Sequence, residues 1–293
     1  MNLRIGCLLL FLLVVGIVSG QPIDLARANQ IAHHQGDNDC PSWSPDGEKV
    51  IFQTNRNGSW DIYCYDTETD TIYPLIISKY NLQHPVWHPD GQSIVFDSDS
   101  LGREILFIYS LAGNETTRLF NREIDGREAS FASSSRQVYF SGYNKTNDKW
   151  QIYSYDFIYD NLNQLTHNNS YCLDPQVAPD GKHLVYYQAE TVLEPATIAF
   201  INWYGEESHR LRGINAKDLC WHPAGLKLYF ISDMDEKKGE LYSIWDDGSH
   251  LERITNDTIA QYQPAIAPDG HTLIIVGKVP DGKGLFLIDL TED

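Results

Sequence analysis

One motif recurs six times along the chain, and the spacing of its copies decides what the chain can fold into. The copies read CPSWSPDG (40–47), HPVWHPDG (84–91), EASFASSS (128–135), DPQVAPDG (174–181), LCWHPAG (219–225) and QPAIAPDG (263–270). Their anchor residues Trp43, Trp87, Phe131, Val177, Trp221 and Ile266 stand 44, 44, 46, 44 and 45 positions apart. A fixed period of this size marks an array of one supersecondary unit. The 293 residues would by length alone suggest two domains. The repeats use nearly all of them, so one domain over 21–293 is expected instead.

Each unit holds four strand-like runs, in the first unit PSWS (41–44), KVIFQT (49–54), DIYCYD (61–66) and TIYPLII (71–77). Short apolar runs separated by Gly, Asn and Asp are hairpin signals. In the PDG turn, Pro sets one dihedral and Gly accepts positive φ. Four antiparallel strands repeated six times predict an all-β, six-bladed β-propeller. The sixth unit ends after its third strand, and ARANQIAH (26–33) aligns as the missing fourth. Its pairing with residues 284–289 would close the ring and remove an open edge.

The run SPDG-x-x-[IV]-x-F, then a Gly-containing turn, [DE]-I-Y and RLT, resembles the WD-like repeats of TolB-type six-bladed propellers. The clearest copy is SWSPDGEKVIFQTNRNGSWDIYCYD (42–66). The resemblance covers about residues 26–293 and implies the fold. TolB proteins place an α/β domain before the propeller and act in the bacterial envelope through protein contacts. No counterpart of that domain precedes the repeats here, so a propeller alone is expected.

The first twenty residues read differently. One Arg, the apolar run CLLLFLLVVGIV and the small residues Val18-Ser19-Gly20 have the pattern of a secretory signal peptide over 1–20. An uncleaved anchor is the alternative, although the run is short for a membrane span. The mature protein is expected to be exported, periplasmic or secreted, without a membrane span, and monomeric. Removing Arg4 with the leader moves the formal charge from −18 to −19. Such a surface repels phosphates, which argues against a nucleic-acid partner.

The residues opening the first strands occupy equivalent positions: Cys40, His84, Glu128, Asp174, Asp218 and Gln263. Innermost strands line a propeller's channel, so these side chains predict a polar ring near one mouth. His84, Glu128, Asp174, Asp218 and Gln263 are the candidate ligand-binding residues. Carboxylates can hold a hard cation such as calcium, and the alternative is a water-filled channel. Otherwise no metal or cofactor is expected. The same alignment sets the cysteines apart. Strands two apart lie roughly 9–10 Å from each other, whereas a disulfide needs Cα atoms within about 7 Å. Cys40, Cys64, Cys172 and Cys220 are therefore expected to be mostly free thiols.

Five N-glycosylation sequons, at Asn57, Asn114, Asn144, Asn168 and Asn256, fall in predicted loops. All but Asn114 lie on the face made by the second-to-third and fourth-to-first connections. Asn, Ser and Thr are also ordinary turn residues. His88 and His222 precede turn prolines and read as turn residues. Asp97-Ser-Asp99 and Asp233-Met-Asp235 read as solvated loops. No G-x-S-x-G, H-E-x-x-H or C-x-x-C occurs, so no catalytic residue is assigned.

Two functions are compatible with these residues. The first is a non-enzymatic scaffold that binds a protein, peptide or ligand through one face and the channel mouth. Trp60, Trp150, Tyr143 and Tyr262 are its candidate anchors, or else caps on the core between blades. The second is a propeller enzyme, a polysaccharide lyase or hydrolase, using the channel carboxylates and His84.

Overall fold

A computed structural model describes residues 22–25, 28–32, 36–132, 136–191, 196–235 and 238–290. The leader read over 1–20 lies outside these residues. Four antiparallel sheets of four strands each follow one another along the chain, beginning with Leu82–Trp87, Ser93–Ser98, Ile105–Ser110 and Glu115–Arg118. A fifth sheet has eight strands. It joins Gly36–Trp43, Lys49–Thr54, Asp61–Asp66 and Thr71–Ile76 to Gln261–Ile266, Thr272–Val279 and Gly282–Asp289. The joint is a two-residue parallel pairing of Gly36 with Gly282 and Asp37 with Lys283.

The second strand of each unit is apolar on both sides. Val50, Ile51 and Phe52 are all fully buried. Side chains alternate across a strand, so Val50 and Phe52 pack with Ile274 and Val276, while Ile51 packs with Leu82, Ile94 and Phe96. The core therefore consists of apolar layers between consecutive sheets. Fourth strands lie outside them, and Glu115–Arg118 is largely exposed.

The turns after the first strands behave as their sequence demands. Gly47 has φ +77° and donates its N–H to the Ser44 carbonyl at 2.9 Å. Asp46 accepts the Glu48 N–H at 3.0 Å. His88 and His222 are turn residues, accepting the Asp90 and Ala224 amides through Nδ1.

Asn29–Ala32 pairs antiparallel with Gly282–Asp289, setting Asn29 opposite Leu287 and Gln30 opposite Phe286. Just before it, Leu25 is fully buried among Tyr229, Ile231, Leu241 and Ile275. Its amide donates to the Asp257 carboxylate, and Ile23 exchanges backbone hydrogen bonds with Ile254 and Asn256. The N-terminal segment thus fills a groove between two sheets as well as extending one of them. Cys40, Cys64, Cys172 and Cys220 are free thiols.

Candidate ligand channel

The first strands form the innermost layer. Each packs against the first strands before and after it, and Gln261–Ile266 packs against Gly36–Trp43 to complete the circle. Every one of them carries the same irregularity. Between Asp39 and Ser42 the first strand advances three residues while its partner, from Gln53 to Ile51, advances two. This one-residue bulge recurs between Gln83 and Val86, Arg127 and Ser130, Leu173 and Gln176, Lys217 and Cys220, and Tyr262 and Ala265. A bulge re-aims side chains and leaves its extra residue unpaired. That explains Pro41, Pro85, Pro175 and Pro264, since proline within a sheet is confined to edges and bulges.

The residue at each bulge is left-handed: Cys40, His84, Glu128, Asp174, Asp218 and Gln263 have φ between 44° and 57°. Such a backbone costs roughly 1–2 kcal/mol per non-glycine residue, and side chains of the preceding units offset it. The His84 amide donates to Gln53 Oε1 at 2.7 Å, and the Glu128 amide to Asp97 Oδ1 at 3.3 Å. The Asp174 amide donates to Glu128 Oε2 and to Ser141 Oγ, each at 2.9 Å. The Gln263 amide donates to Asp218 Oδ2 at 3.2 Å, and the Cys40 amide to Gln263 Oε1 at 2.9 Å.

All six side chains line one cavity of about 630 Å³. From this polar ring the cavity extends past Trp43 and Trp221 to Pro45, Pro179, Pro223 and Pro268 in the turns. It is therefore associated with the face that carries the first-to-second turns. Trp43 Nε1 donates to the Ala265 carbonyl at 3.0 Å and Trp221 Nε1 to the Gln176 carbonyl at 3.1 Å, so each indole bridges to the first strand of the preceding repeat around the circle.

The ring is electrically uneven. His84 Nδ1 lies 2.8 Å from Asp97 Oδ1. Burial opposes its protonation, but Asp97 outweighs burial and raises the imidazole to about 9. Asp97, read from sequence as a solvated loop residue, is instead buried within Ser93–Ser98 and supports two ring positions. Glu128 meets Arg127 Nε at 3.3 Å and the Ser141 hydroxyl at 2.6 Å. Asp174 and Asp218 have no ion-pair partner among the described residues. Burial, then the Glu128 charge, raises Asp174 to about 7 against a hydrogen bond from Gln176. Burial likewise raises Asp218, against the Gln263 amide. Among the described residues, no three His, Cys, Asp or Glu side chains are gathered closely enough to hold a metal ion.

The aromatics singled out from sequence are half-buried. Trp150 packs edge-on to Tyr143, and the Arg127 guanidinium lies 4.4 Å above its ring. Tyr262 sits beneath Lys283, and Trp60 is likewise only half-exposed. The large exposed side chains lie elsewhere: Tyr73, Ile77, Tyr80, Leu101, Ile158, Tyr159, Trp203, Tyr204, Leu226 and Trp245. Ile158, Tyr159, Trp203 and Tyr204 in third-to-fourth connections, Leu226 in a first-to-second turn and Trp245 at the end of a third strand lie at the cavity's end of the sheets, whereas Ile77, Tyr80 and Leu101 lie in connections at the opposite end and Tyr73 in a fourth strand. Among the sequons, Asn144 is the last residue of the strand Gln137–Asn144, not a loop residue. Asn57, Asn114, Asn168 and Asn256 lie outside strands.

Comparison with known proteins agrees with this architecture. The chain is 27% identical over 179 residues to the Protein TolB homolog of Chlorobium chlorochromatii, and 28% identical over 132 residues to the Uncharacterized peptidase YuxL of Bacillus subtilis. These matches cover 59% and 41% of this chain, but only 40% and 19% of those proteins. The crystal structure of TolB from Acinetobacter baumannii superposes with a TM-score of 0.67 at 14% identity, over 87% of this chain and 61% of that one. The profile of the TolB beta propeller domain matches residues 18–191, and the chain belongs to that family.

Proposed function

We propose that this protein is an exported, non-enzymatic six-bladed propeller that binds a protein or peptide partner at the face joined to the channel cavity. Six first strands packed in a circle support the blade count, with the eight-stranded sheet read as two blades meeting at Gly36 and Gly282. The N-terminal strand then completes the last blade. Export follows from the leader pattern over 1–20.

The observation that carries the reading is a coincidence of position. Tyr159 and Tyr204, 72% and 75% exposed, lie with Trp203 and Trp245 at the same end of the sheets as the cavity. Trp and Tyr dominate binding hot spots. Four of the five sequons belong to the other face.

The test is capture of partners from the organism's envelope and secreted fractions, with a Tyr159→Ser/Trp203→Ser/Tyr204→Ser variant as comparison bait. A partner held by the native protein and lost by the variant is expected. Identical capture by both baits, or none by either, would overturn the proposal.

A further inference from the structure

The two ends of the sheets carry charge unequally. Among the described residues, the first-to-second turns and third-to-fourth connections hold eleven acidic side chains and two basic ones, Arg136 and Lys182. The connections at the opposite end hold ten acidic and seven basic side chains. The negative excess therefore lies on the cavity's face, the face that also carries Tyr159, Trp203, Tyr204 and Trp245. Ten of its eleven acids are exposed. Asp160 pairs with Arg122, and Asp90 and Asp180 meet histidines. Glu206 accepts the Asn202 side-chain amide and Asp247 the Ser249 amide, and neither they nor Asp246 has an ion-pair partner among the described residues.

These unpaired acids stand beside the exposed aromatics on two connections that the fold holds together. His209 Nε2 donates to the Asp246 carbonyl at 2.6 Å, which ties the fourth strand of the fourth repeat to the next repeat's connection. A Cβ on Gly248 would meet Leu211 at 2.9 Å, so the approach is close. The hairpin holding Trp203, Tyr204 and Glu206 thus adjoins Trp245, Asp246 and Asp247. Trp203 stands edge-on to Tyr204, and His250 covers one face of Trp245.

The chemistry that fits both features is visible one repeat earlier. There the Arg136 guanidinium lies 4.8 Å over the Tyr159 ring while its Nη2 lies 2.9 Å from Asp156 Oδ2. A guanidinium is flat and weakly hydrated, so it stacks on an aromatic face and grips a carboxylate with the same group. An ammonium is a strongly hydrated point charge and matches the ring less well. The positions equivalent to Arg136 in the next two repeats are Lys182 and Leu226, just before His183–Ala189 and Lys227–Ser232. Neither can supply a guanidinium to the aromatics and acids of these repeats.

We propose that Trp203, Tyr204 and Glu206 with Trp245, Asp246 and Asp247 form a docking surface for an arginine-rich segment of a protein partner. This rests on the binding face proposed above and specifies the chemistry that the face takes.

The experiment is calorimetric and NMR titration of the full mature chain at neutral pH. The probes are three octapeptides that alternate serine with arginine, lysine or glutamate. Saturable binding of the arginine peptide is expected, with shifts centred on residues 203–206 and 245–250. The lysine peptide should bind several-fold more weakly, and the glutamate peptide should not bind. Glu206→Gln/Asp246→Asn/Asp247→Asn should weaken the arginine peptide by about tenfold. Glu123→Gln/Glu190→Gln/Asp281→Asn removes three exposed charges from the opposite end and should leave binding within about twofold. The two triple variants have the same net charge, so they separate a local surface from general attraction to an acidic protein. Trp203→Ser/Tyr204→Ser, which leaves the charge alone, should weaken binding several-fold.

Absence of saturable binding, equal losses in the two triple variants, indifference to Trp203→Ser/Tyr204→Ser, or a lysine peptide bound as tightly as the arginine one would overturn the proposal. Thermal melts confirm that each variant is folded. Partner capture keeps this result apart from the reading it rests on. A partner lost by the aromatic bait but held by the Glu206→Gln/Asp246→Asn/Asp247→Asn bait removes the arginine chemistry and leaves the face. Arginine-peptide binding without any captured partner removes the protein partner and leaves the cation surface.

Discussion

Glu128 holds Asp174 twice over: its Oε2 accepts the Asp174 amide at 2.9 Å, and its charge helps raise the Asp174 carboxyl to about 7. Glu128→Gln separates the two effects. The amide oxygen can still accept the Asp174 N–H, but the negative charge is gone. The Asp174 midpoint is expected to fall towards the ordinary carboxylate range while remaining above it, because burial is the larger cause. Carbon-detected NMR titration of the carboxyl groups reads this directly. An unmoved midpoint would show that burial alone sets it.

Stability should decline with pH across two windows. The Asp174 pKa is raised in the fold, so its contribution is complete below the unfolded value of 3.8 and is lost as pH rises to about 7. His84 is also raised, so its contribution is present below 6.5 and is lost as pH rises through about 9. Each window should involve on the order of 1–3 kcal/mol. Urea melts from acid to alkaline pH should show the lower decline flattened in Asp174→Asn and the upper one in His84→Gln. If neither substitution alters the profile, other groups govern it.

The seam offers a contrast between two glycines. Gly282 has φ +140°, and a Cβ there would meet the Gly36 carbonyl oxygen at 2.2 Å. Gly58 has φ +104° with nothing within 4 Å. Gly58→Ala should cost about 1 kcal/mol, from backbone strain alone. Gly282→Ala should cost several kcal/mol or prevent folding. Leu25→Ala, at a fully buried site in the layer on the other side of the last repeat, should cost about 2–5 kcal/mol. Equal melting temperatures for the two glycine variants would count against the seam.

Three tryptophans occupy one repeat position with different partners. Trp43 and Trp221 donate their indole N–H groups across to the first strand of the preceding repeat, whereas Trp87 Nε1 is buried without a partner. Phenylalanine at position 43 or 221 should therefore forfeit about 0.5–1.5 kcal/mol of hydrogen bonding in addition to any packing loss. Trp87→Phe relieves an unsatisfied donor and should be the mildest of the three. Chemical denaturation of the matched variants measures the order.

The repeat made much of this legible. Period and turn chemistry located the strands, and alignment alone grouped His84, Glu128, Asp174, Asp218 and Gln263 before the structure placed them around one cavity. The bulge beneath them was not read, although proline directly after the ring residue in four repeats was its available signal. Asp97 was misread because Asp97-Ser-Asp99 looks like a loop when strand ends are uncertain. The polar residues Gln53, Asp97 and Ser141 at one second-strand position carried the correction. The outward aromatics Tyr159 and Tyr204 left no periodic trace, because the equivalent turns of other units hold small or acidic residues. Trp150, read as either an anchor or a cap, is half-buried, and its cover comes from Arg127, in another strand of its sheet, a contact that the repeat spacing does not encode.

The pairing of Asn29–Ala32 with Gly282–Asp289 has a consequence for biosynthesis. Nearby partners such as Asn38 and Lys283 stand 245 positions apart. A chain still emerging from the ribosome or a translocation pore cannot complete this sheet until almost the whole of it has been delivered. Until then Leu25 and Asn29–Ala32 lack the last strands that cover them, so the interval before the ends meet is when a chaperone would have most to protect.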